Sequence, residues 1–301
     1  MKLSHWGAFG QLSSTYGCYP RVVTWPRAVL IVAGVAACSG ALYSYQREFR
    51  EFEGEDARVA LAPDALNPSE FVWGRLMYPS GGGGGRRFGG FGRDWRQGGR
   101  GTNWTNDYPS GDRHLMTAVR RLTRINARPI EQPINLEDED DVFNWPLLFA
   151  VRTTSIQLTE PMTVKLREYL DRGGFFIADD MWGPGEHQAI IETVSQLYPQ
   201  RELVELGNDA QAFHMLFDLN ERYQILGQWA RFNGMVPLDR VSYDPHFKGV
   251  FDEKGRMTMA IWFNNDTGDS WEWADDPSYP EKFSALGIRI ALNHIVYAMT
   301  H

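Results

Sequence analysis

The chain has 301 residues, 43% of them hydrophobic and 23% charged, which is typical of a globular protein with a sizeable buried core. Its formal net charge of -8 argues against a protein that binds nucleic acid over its whole surface. Cys18 and Cys38 are the only cysteines, and both precede the globular part. A thiol nucleophile, a structural disulfide and a cysteine-based zinc site are therefore excluded from the main domain.

An uncharged, largely apolar run from Ala28 to Gln46 dominates the N-terminal region. As a helix it would span about 28 Å at ~1.5 Å per residue, close to the ~30 Å hydrocarbon core of a bilayer. Basic residues precede the run and acidic residues follow it, which predicts a cytoplasmic N terminus and an exported C-terminal domain. Three alternatives stay open: a retained transmembrane anchor, a cleaved signal peptide, or a lipobox with lipidation at Cys38. Each predicts a periplasmic domain in the bacterial cell envelope, membrane-anchored or secreted.

A linker is predicted over residues 47–70, ahead of the globular domain, because these residues are charged and include Pro63 and Pro68. The predicted domain covers residues 71–301, and its first predicted strand is Phe71–Tyr78. Residues 81–101 are rich in Gly and Arg and predict a mobile flap that could offer cations to an acidic partner. The acidic run at 137–141 is most simply a solvated loop, although direct pairing with the Arg-rich flap stays open. Between these two segments, Ser110 is the predicted N-cap of a helix.

Strands and helices alternate through the middle of the chain. Strands are predicted at 145–152, 175–178 and 201–206, with helices after Thr159 and at 188–197. This alternation predicts an α/β fold, with a parallel sheet that carries helices on both faces. Residues 248–262 predict an added β-hairpin, and residues 281–299 predict a final helix packed into the body.

The most informative candidate site follows the buried strand at 175–178. Ligands of open parallel sheets bind beyond the carboxyl ends of the strands, and Asp179 and Asp180 stand there. Adjacent carboxylates can bind a divalent cation or serve as acid and base, although Asp near a helix start is often only a cap. His187, after the following turn, could complete a catalytic carboxylate–imidazole site. Arg113 and His114 could join it as ligand-binding residues, but spacing alone does not show that these side chains meet.

A second candidate site lies in the polar segment at 264–273. Asn264, Asp266 and Asp269 alternate as in a calcium loop, but the spacing fails the EF-hand pattern and lacks its final glutamate. Trp271 could stack on a planar or sugar ligand. The simpler interpretation is a polar loop held by its own Asx turns.

Several blocks of the sequence together resemble the bacterial domain of unknown function family 4159, over roughly residues 70–301. These blocks are RLMYPSGGG, DYPSGDRHL, RRLTRI, EQPINLED, DVFNWPLLFAV, KLREYLDRGGFFIADD, GDSWEWADDP and YPEKFSALGIRIALNHIVYAMTH. The resemblance implies a flavodoxin-like, class I glutamine-amidotransferase-like fold that is exported or membrane-anchored and has no established activity. It also implies a role in envelope assemblies, with other envelope proteins as partners.

The resemblance bears directly on the strand end at 179–182. In true amidotransferases of this fold, a cysteine nucleophile follows the strand that corresponds to 175–178, whereas this chain has Asp179, Asp180, Met181 and Trp182. Members of the family have His where this chain has Trp182, and His187 could substitute for it. The expected function is a non-catalytic binding or scaffolding domain that uses Asp179, Asp180 and Trp182. The alternative is a metal-assisted or acid–base hydrolase that acts on an envelope polysaccharide or peptide.

Overall fold

The computed structural model describes residues 49–54, 61–80, 94–99, 102–228 and 244–301. The predicted membrane or signal segment and most of the Arg-rich flap lie outside the described residues. Among the described residues, no helix is both long enough and apolar enough to span a bilayer.

A seven-stranded sheet forms the centre of the domain, with strand order β2-β1-β3-β4-β7-β6-β5. The strands are β1 Gly74–Met77, β2 Gln132–Asn135, β3 Leu147–Ala150, β4 Phe175–Met181, β5 Val204–Glu205, β6 His246–Phe251 and β7 Met257–Phe263. Strands β2, β1, β3, β4 and β7 are mutually parallel. Their order is the 2-1-3-4-5 order of flavodoxin-like folds. The α/β architecture and its parallel sheet are therefore as predicted.

Two helical layers cover the sheet. The helices are α1 Ser110–Leu122, α2 Glu160–Asp171, α3 Gly183–Leu197, α4 Thr267–Glu272 and α5 Glu281–Thr300. Helices α1, α4 and α5 contact one another on one face, and α2 and α3 contact each other on the other face. Successive residues of a strand point to opposite faces of the sheet, and each face has its own hydrophobic core. In β3, Leu147 and Phe149 pack in one core, and Leu148 and Ala150 pack in the other. Burial on both faces explains the continuous apolar runs of these strands.

The predicted hairpin is present, because β6 pairs antiparallel with β7. Its second strand also pairs in parallel with β4, so β7 is the fifth strand of the main sheet rather than part of an appendage. The strand predicted at 201–206 is reduced to β5, a two-residue edge strand that pairs antiparallel with β6. Strand β2 was not predicted. Its sequence, QPIN, contains a proline and lacks the β-branched pattern, and it pairs only at the edge of the sheet.

Part of the predicted linker packs on the domain. The Phe52 ring lies 5.5 Å from the Trp104 ring, and the carboxylate of Glu51 lies 3.3 Å from the guanidinium of Arg113. One Arg of the flap also pairs with the acidic run, because Arg96 Nε lies 2.5 Å from Glu137 Oε2. Both side chains are substantially exposed, so solvent and salt screen this pair and it contributes little to stability. The pairing that the sequence left open is therefore present in the described part of the flap.

Candidate carboxylate site at the carboxyl edge of the sheet

The end of β4 places Asp179 inside the protein. Its side chain is fully buried, and its Oδ2 accepts a hydrogen bond of 2.8 Å from the backbone N–H of Gly268 in the first turn of α4. Burial raises the pKa of Asp179 to about 8, and the hydrogen bond from Gly268 offsets only part of that effect. Asp179 therefore connects β4 to α4 and does not face solvent.

Asp180 contacts residues at the start of α3, whereas Asp179 contacts α4. It has a left-handed backbone conformation with φ of 56°, and its Oδ1 accepts a hydrogen bond of 2.5 Å from the indole N–H of Trp182. Trp182 precedes α3, and its backbone N–H donates to Glu186 at 2.7 Å. Asp180 therefore binds a neighbouring indole, and the N-cap residue of α3 is Trp182 rather than Asp180.

Four other acidic side chains converge at α4, the helix whose Gly268 N–H binds Asp179. Asp266 is the N-cap of α4, Asp269 and Glu272 follow at spacings of three residues on that helix, and Asp107 precedes α1. Residues three apart on a helix share a face, and α1 packs against α4, so Asp107 meets this acidic face. Carboxylate oxygens of Asp107, Asp269 and Glu272 all lie within 4.8 Å of one another. We call Asp107, Asp266, Asp269 and Glu272 the acidic cluster.

Two glycines permit this convergence. A Cβ atom at Gly268 would lie 2.3 Å from Asp107 Oδ2, and a Cβ atom at Gly227 would lie 2.4 Å from Asp266 Oδ2 and 2.5 Å from Asp269 Oδ2. Gly227 also has φ of 59°, which favours glycine over residues with a side chain. The backbone therefore approaches the cluster more closely than a side chain at either position would allow.

All four members of the acidic cluster are buried, with exposed fractions of 1% for Asp107, 3% for Asp266, 5% for Asp269 and 8% for Glu272. Burial raises the pKa of Asp107 well above its usual value, and the negative charges of Asp269, Asp266 and Glu272 raise it further. Asp107 Oδ1 accepts a hydrogen bond of 2.6 Å from the Asn106 side chain. Asp269 Oδ2 accepts one of 2.7 Å from the backbone N–H of Gln228. Both donors are neutral amides, so neither hydrogen bond brings a positive charge to Asp107 or Asp269.

The structure separates the predicted histidines from a common catalytic site. The His187 ring packs 4.8 Å from the ring of Phe263, and its Nε2 has no hydrogen-bond partner within the described ranges. Burial lowers the pKa of His187, and Lys248 and His246 lower it further. His114 Nδ1 lies 2.9 Å from the carbonyl oxygen of Trp271, at the C-terminal end of α4. His114 therefore satisfies a helix-end carbonyl beside the cluster.

Three further predicted ligand-binding residues have structural partners. Arg113 pairs with Glu131, with Nε 3.1 Å from Oε2. Asn264 accepts a 3.0 Å hydrogen bond from the backbone N–H of Gly183 and so connects the end of β7 to the start of α3. The Trp271 ring is fully buried 5.2 Å from Phe149, so it is not available to stack on a ligand. Trp271 fills the core because it lies on the face of α4 that packs on the sheet.

Sequence reasoning identified Asp266 and Asp269 but missed Asp107 and Glu272. The segment 264–273 was interpreted as a polar loop, whereas its second half forms α4. A helical interpretation would have placed Asp266, Asp269 and Glu272 on one face. Asp107 could not be assigned from its own neighbours, because its contact with α4 joins residues far apart in the chain.

A family model described as a domain of unknown function (DUF4159) matches residues 96–299. No curated protein matches the chain. The matched region includes all four members of the acidic cluster and every helix and strand from α1 to β7. It covers more than half of the sequence, so the chain belongs to the DUF4159 family.

Proposed function

We propose that this protein is a non-catalytic binding module of the bacterial cell envelope that binds a cationic ligand through the acidic cluster. The observation that carries the proposal is the convergence of Asp107, Asp266, Asp269 and Glu272, all buried, at one edge of the sheet. Asp107 and Asp269 form no ion pair with a lysine or arginine among the described residues, and buried carboxylates without a compensating cation destabilise a fold. Their retention at a ligand-binding edge is explained if a cation binds there.

The position of the cluster supports the proposal. Ligands of open α/β sheets bind beyond the carboxyl ends of the strands, and α4 follows the carboxyl end of β7 directly. Asp179, at the carboxyl end of β4, is hydrogen-bonded to Gly268 on the same short helix. The cluster therefore lies at the edge of the sheet where folds of this class bind their ligands. Its side chains are carboxylates, whereas an enzyme with a thiol nucleophile would have a cysteine at this edge.

The role as a binding module is supported by the chemistry available after β4. The only cysteines, Cys18 and Cys38, precede the domain, and the strand end carries Asp179 and Asp180 instead. His187, the base that a hydrolase would require, packs on Phe263 and not on these carboxylates. A placement in the envelope is supported by the apolar run at 28–46 and its flanking charges.

A thermal-shift screen of the full-length protein tests the ligand class. We expect stabilisation by at least one member of a panel of metal cations, polyamines and primary amines, and none by inorganic phosphate. Asp269→Asn should abolish the stabilisation, whereas Asp275→Asn, which alters an exposed carboxylate just after α4, should retain it. Equal responses of both variants, or no response to any cation, would contradict the proposal.

The envelope placement has a separate test. Alkaline phosphatase fused to the C terminus should be active in intact bacteria, because this enzyme matures only outside the cytoplasm. A green fluorescent protein fusion at the same point, exported in the unfolded form, should be dark. The opposite pattern would place the domain in the cytoplasm.

A further inference from the structure

The spacing of the carboxylates restricts the cation. Oxygens of Asp107, Asp269 and Glu272 lie within 4.8 Å of one another. Ligand oxygens on opposite sides of one calcium ion are about 4.6–5.2 Å apart, twice the Ca–O distance of about 2.3–2.6 Å. One calcium ion can therefore contact all three side chains with at most small side-chain adjustments.

Two buried acids elsewhere in this fold have cationic partners. Asp112 accepts a hydrogen bond of 2.9 Å from Arg75, and Glu131 accepts one of 3.1 Å from Arg113. Asp107 and Asp269, in contrast, form no ion pair with any lysine or arginine in the described part of the chain. Asp107 and Asp269 therefore have no cationic partner among the described side chains, and in this they resemble Asp179, which is bound by the Gly268 N–H instead.

Two buried oxygens at the cluster lack partners. Asp107 Oδ2 has no hydrogen-bond donor within the described residues, and neither has the hydroxyl of Tyr279, whose side chain is 5% exposed. Burial raises the pKa of Tyr279, and the charges of Asp266, Asp269 and Asp107 raise it further, so its hydroxyl lies near the same carboxylates. Buried oxygens are normally hydrogen-bonded, and those that are not require an explanation.

We propose, as a refinement that rests on the cationic site of the proposed function, that Asp107, Asp269 and Glu272 ligate one calcium ion. Asp266 adds negative charge beside the ion, and the Tyr279 hydroxyl is available as a further oxygen. Calcium accepts six to eight oxygen ligands in flexible geometry, which suits a shell made of carboxylates. Zinc prefers nitrogen and sulfur ligands, and magnesium retains several waters, which a cluster exposed by less than a tenth accommodates poorly.

Two other species could compensate the charge. A proton could be shared between Asp107 and Asp269, because their side chains are close enough to interact directly. An organic ammonium could also accept several carboxylate oxygens, but it would need space for its carbon atoms beside side chains that are at most 8% exposed. These two species are the alternatives that the experiment must distinguish.

The test is calorimetric titration of the full-length protein after removal of metals with a chelator. We expect one calcium to bind per chain with a Kd below about 1 mM, the weak end of extracellular calcium sites. The midpoint of thermal unfolding should rise with calcium concentration. Asp269→Asn and Glu272→Gln should each weaken calcium binding by at least ~10-fold, because affinity depends on the number of charged ligands. Asp275→Asn should bind calcium as the wild type does.

Other results of the titration would overturn the calcium site, the proposed cationic function, or both. Tighter binding of magnesium than of calcium would overturn the calcium assignment. Stabilisation by an amine, without any metal response, would overturn the metal site and leave the proposed cationic function intact. No response to any cation at about 10 mM, tenfold above the weakest expected calcium affinity, would overturn both. If a variant fails to fold, the other carboxylate variant supplies the comparison.

Discussion

Asp107→Asn is the substitution that most directly tests whether the acidic cluster destabilises the protein in the absence of a cation. The asparagine can keep the hydrogen bond from Asn106 through its carbonyl oxygen, and asparagine tolerates the φ of 62° that Asp107 adopts. Its amide can donate to the Asp269 carboxylate, so the contact between two acidic groups becomes a hydrogen bond. The backbone and the packing are expected to stay unchanged.

The expected gain in the free energy of unfolding can be estimated from the distance between the carboxylate oxygens. Two unit charges 4.8 Å apart repel by about 3.5 kcal/mol at an effective dielectric constant of about 20. The raised pKa of Asp107 means that protonation already relieves part of this repulsion. We therefore expect the free energy of unfolding to rise by about 1–3 kcal/mol in chelator, which at roughly 2–4 °C per kcal/mol raises the midpoint by about 2–12 °C.

Thermal unfolding of the wild type and the variant should be followed by circular dichroism, first in chelator and then in saturating calcium. In chelator the variant should be the more stable protein. In calcium the wild type should gain stability and the variant should gain much less, so the difference should shrink or reverse. A variant that is less stable than the wild type in chelator would refute the reasoning, because the carboxylate would then be compensated within the protein.

Three further predictions concern the residues around the cluster. Asp179→Asn should stabilise the protein increasingly as pH rises: the contribution of protonated Asp179 is fully present below its usual pKa of 3.8 and is lost as pH rises through about 8. Urea unfolding between pH 4 and pH 9 measures the difference in the free energy of unfolding between the variant and the wild type. A difference that does not change with pH would contradict the raised pKa of Asp179. Gly227→Ala should destabilise the protein by at least ~1 kcal/mol, because its Cβ would collide with two carboxylates at a positive φ. Gly185→Ala, where a Cβ meets nothing within 4 Å, should be neutral or slightly stabilising by the same thermal assay. Arg75→Ala should cost about 3–5 kcal/mol, because it leaves the buried Asp112 carboxylate without its cation. A loss below ~1 kcal/mol in chemical denaturation would contradict that account.

Much of the fold was predictable because its signals are local. The alternation of apolar strands with helical segments predicted the parallel sheet and helices on both faces, which the structure confirms. The helix after Thr159 and the final helix were also predicted, since their caps and apolar spacing lie within a few residues. The hairpin at 246–263 was predicted from two β-rich runs around a short turn.

The predictions from sequence were wrong in segments whose secondary structure depends on tertiary contacts. Strand β2 lacks a strong β pattern and forms by pairing with β1, which lies far away in the sequence. The segment at 264–273 contains residues that favour loops, but the packing of Trp271 against Phe149 and Trp262 accompanies a short helix there. That helix changes which acidic residues share a face, so the candidate site could not be completed from spacing alone.

The sequence by itself determined the fold class, the absence of a thiol chemistry in the domain, and the choice of Asp266 and Asp269 as candidate ligands, because residue types and short-range patterns carry that information. Only the tertiary structure decided that Asp179 is buried against Gly268, that His187 lies apart, and that Asp107 joins Asp269 and Glu272. The physical reason is that a site of this kind depends on distances between side chains on separate elements. Those distances are set by how α1 and α4 pack on the sheet.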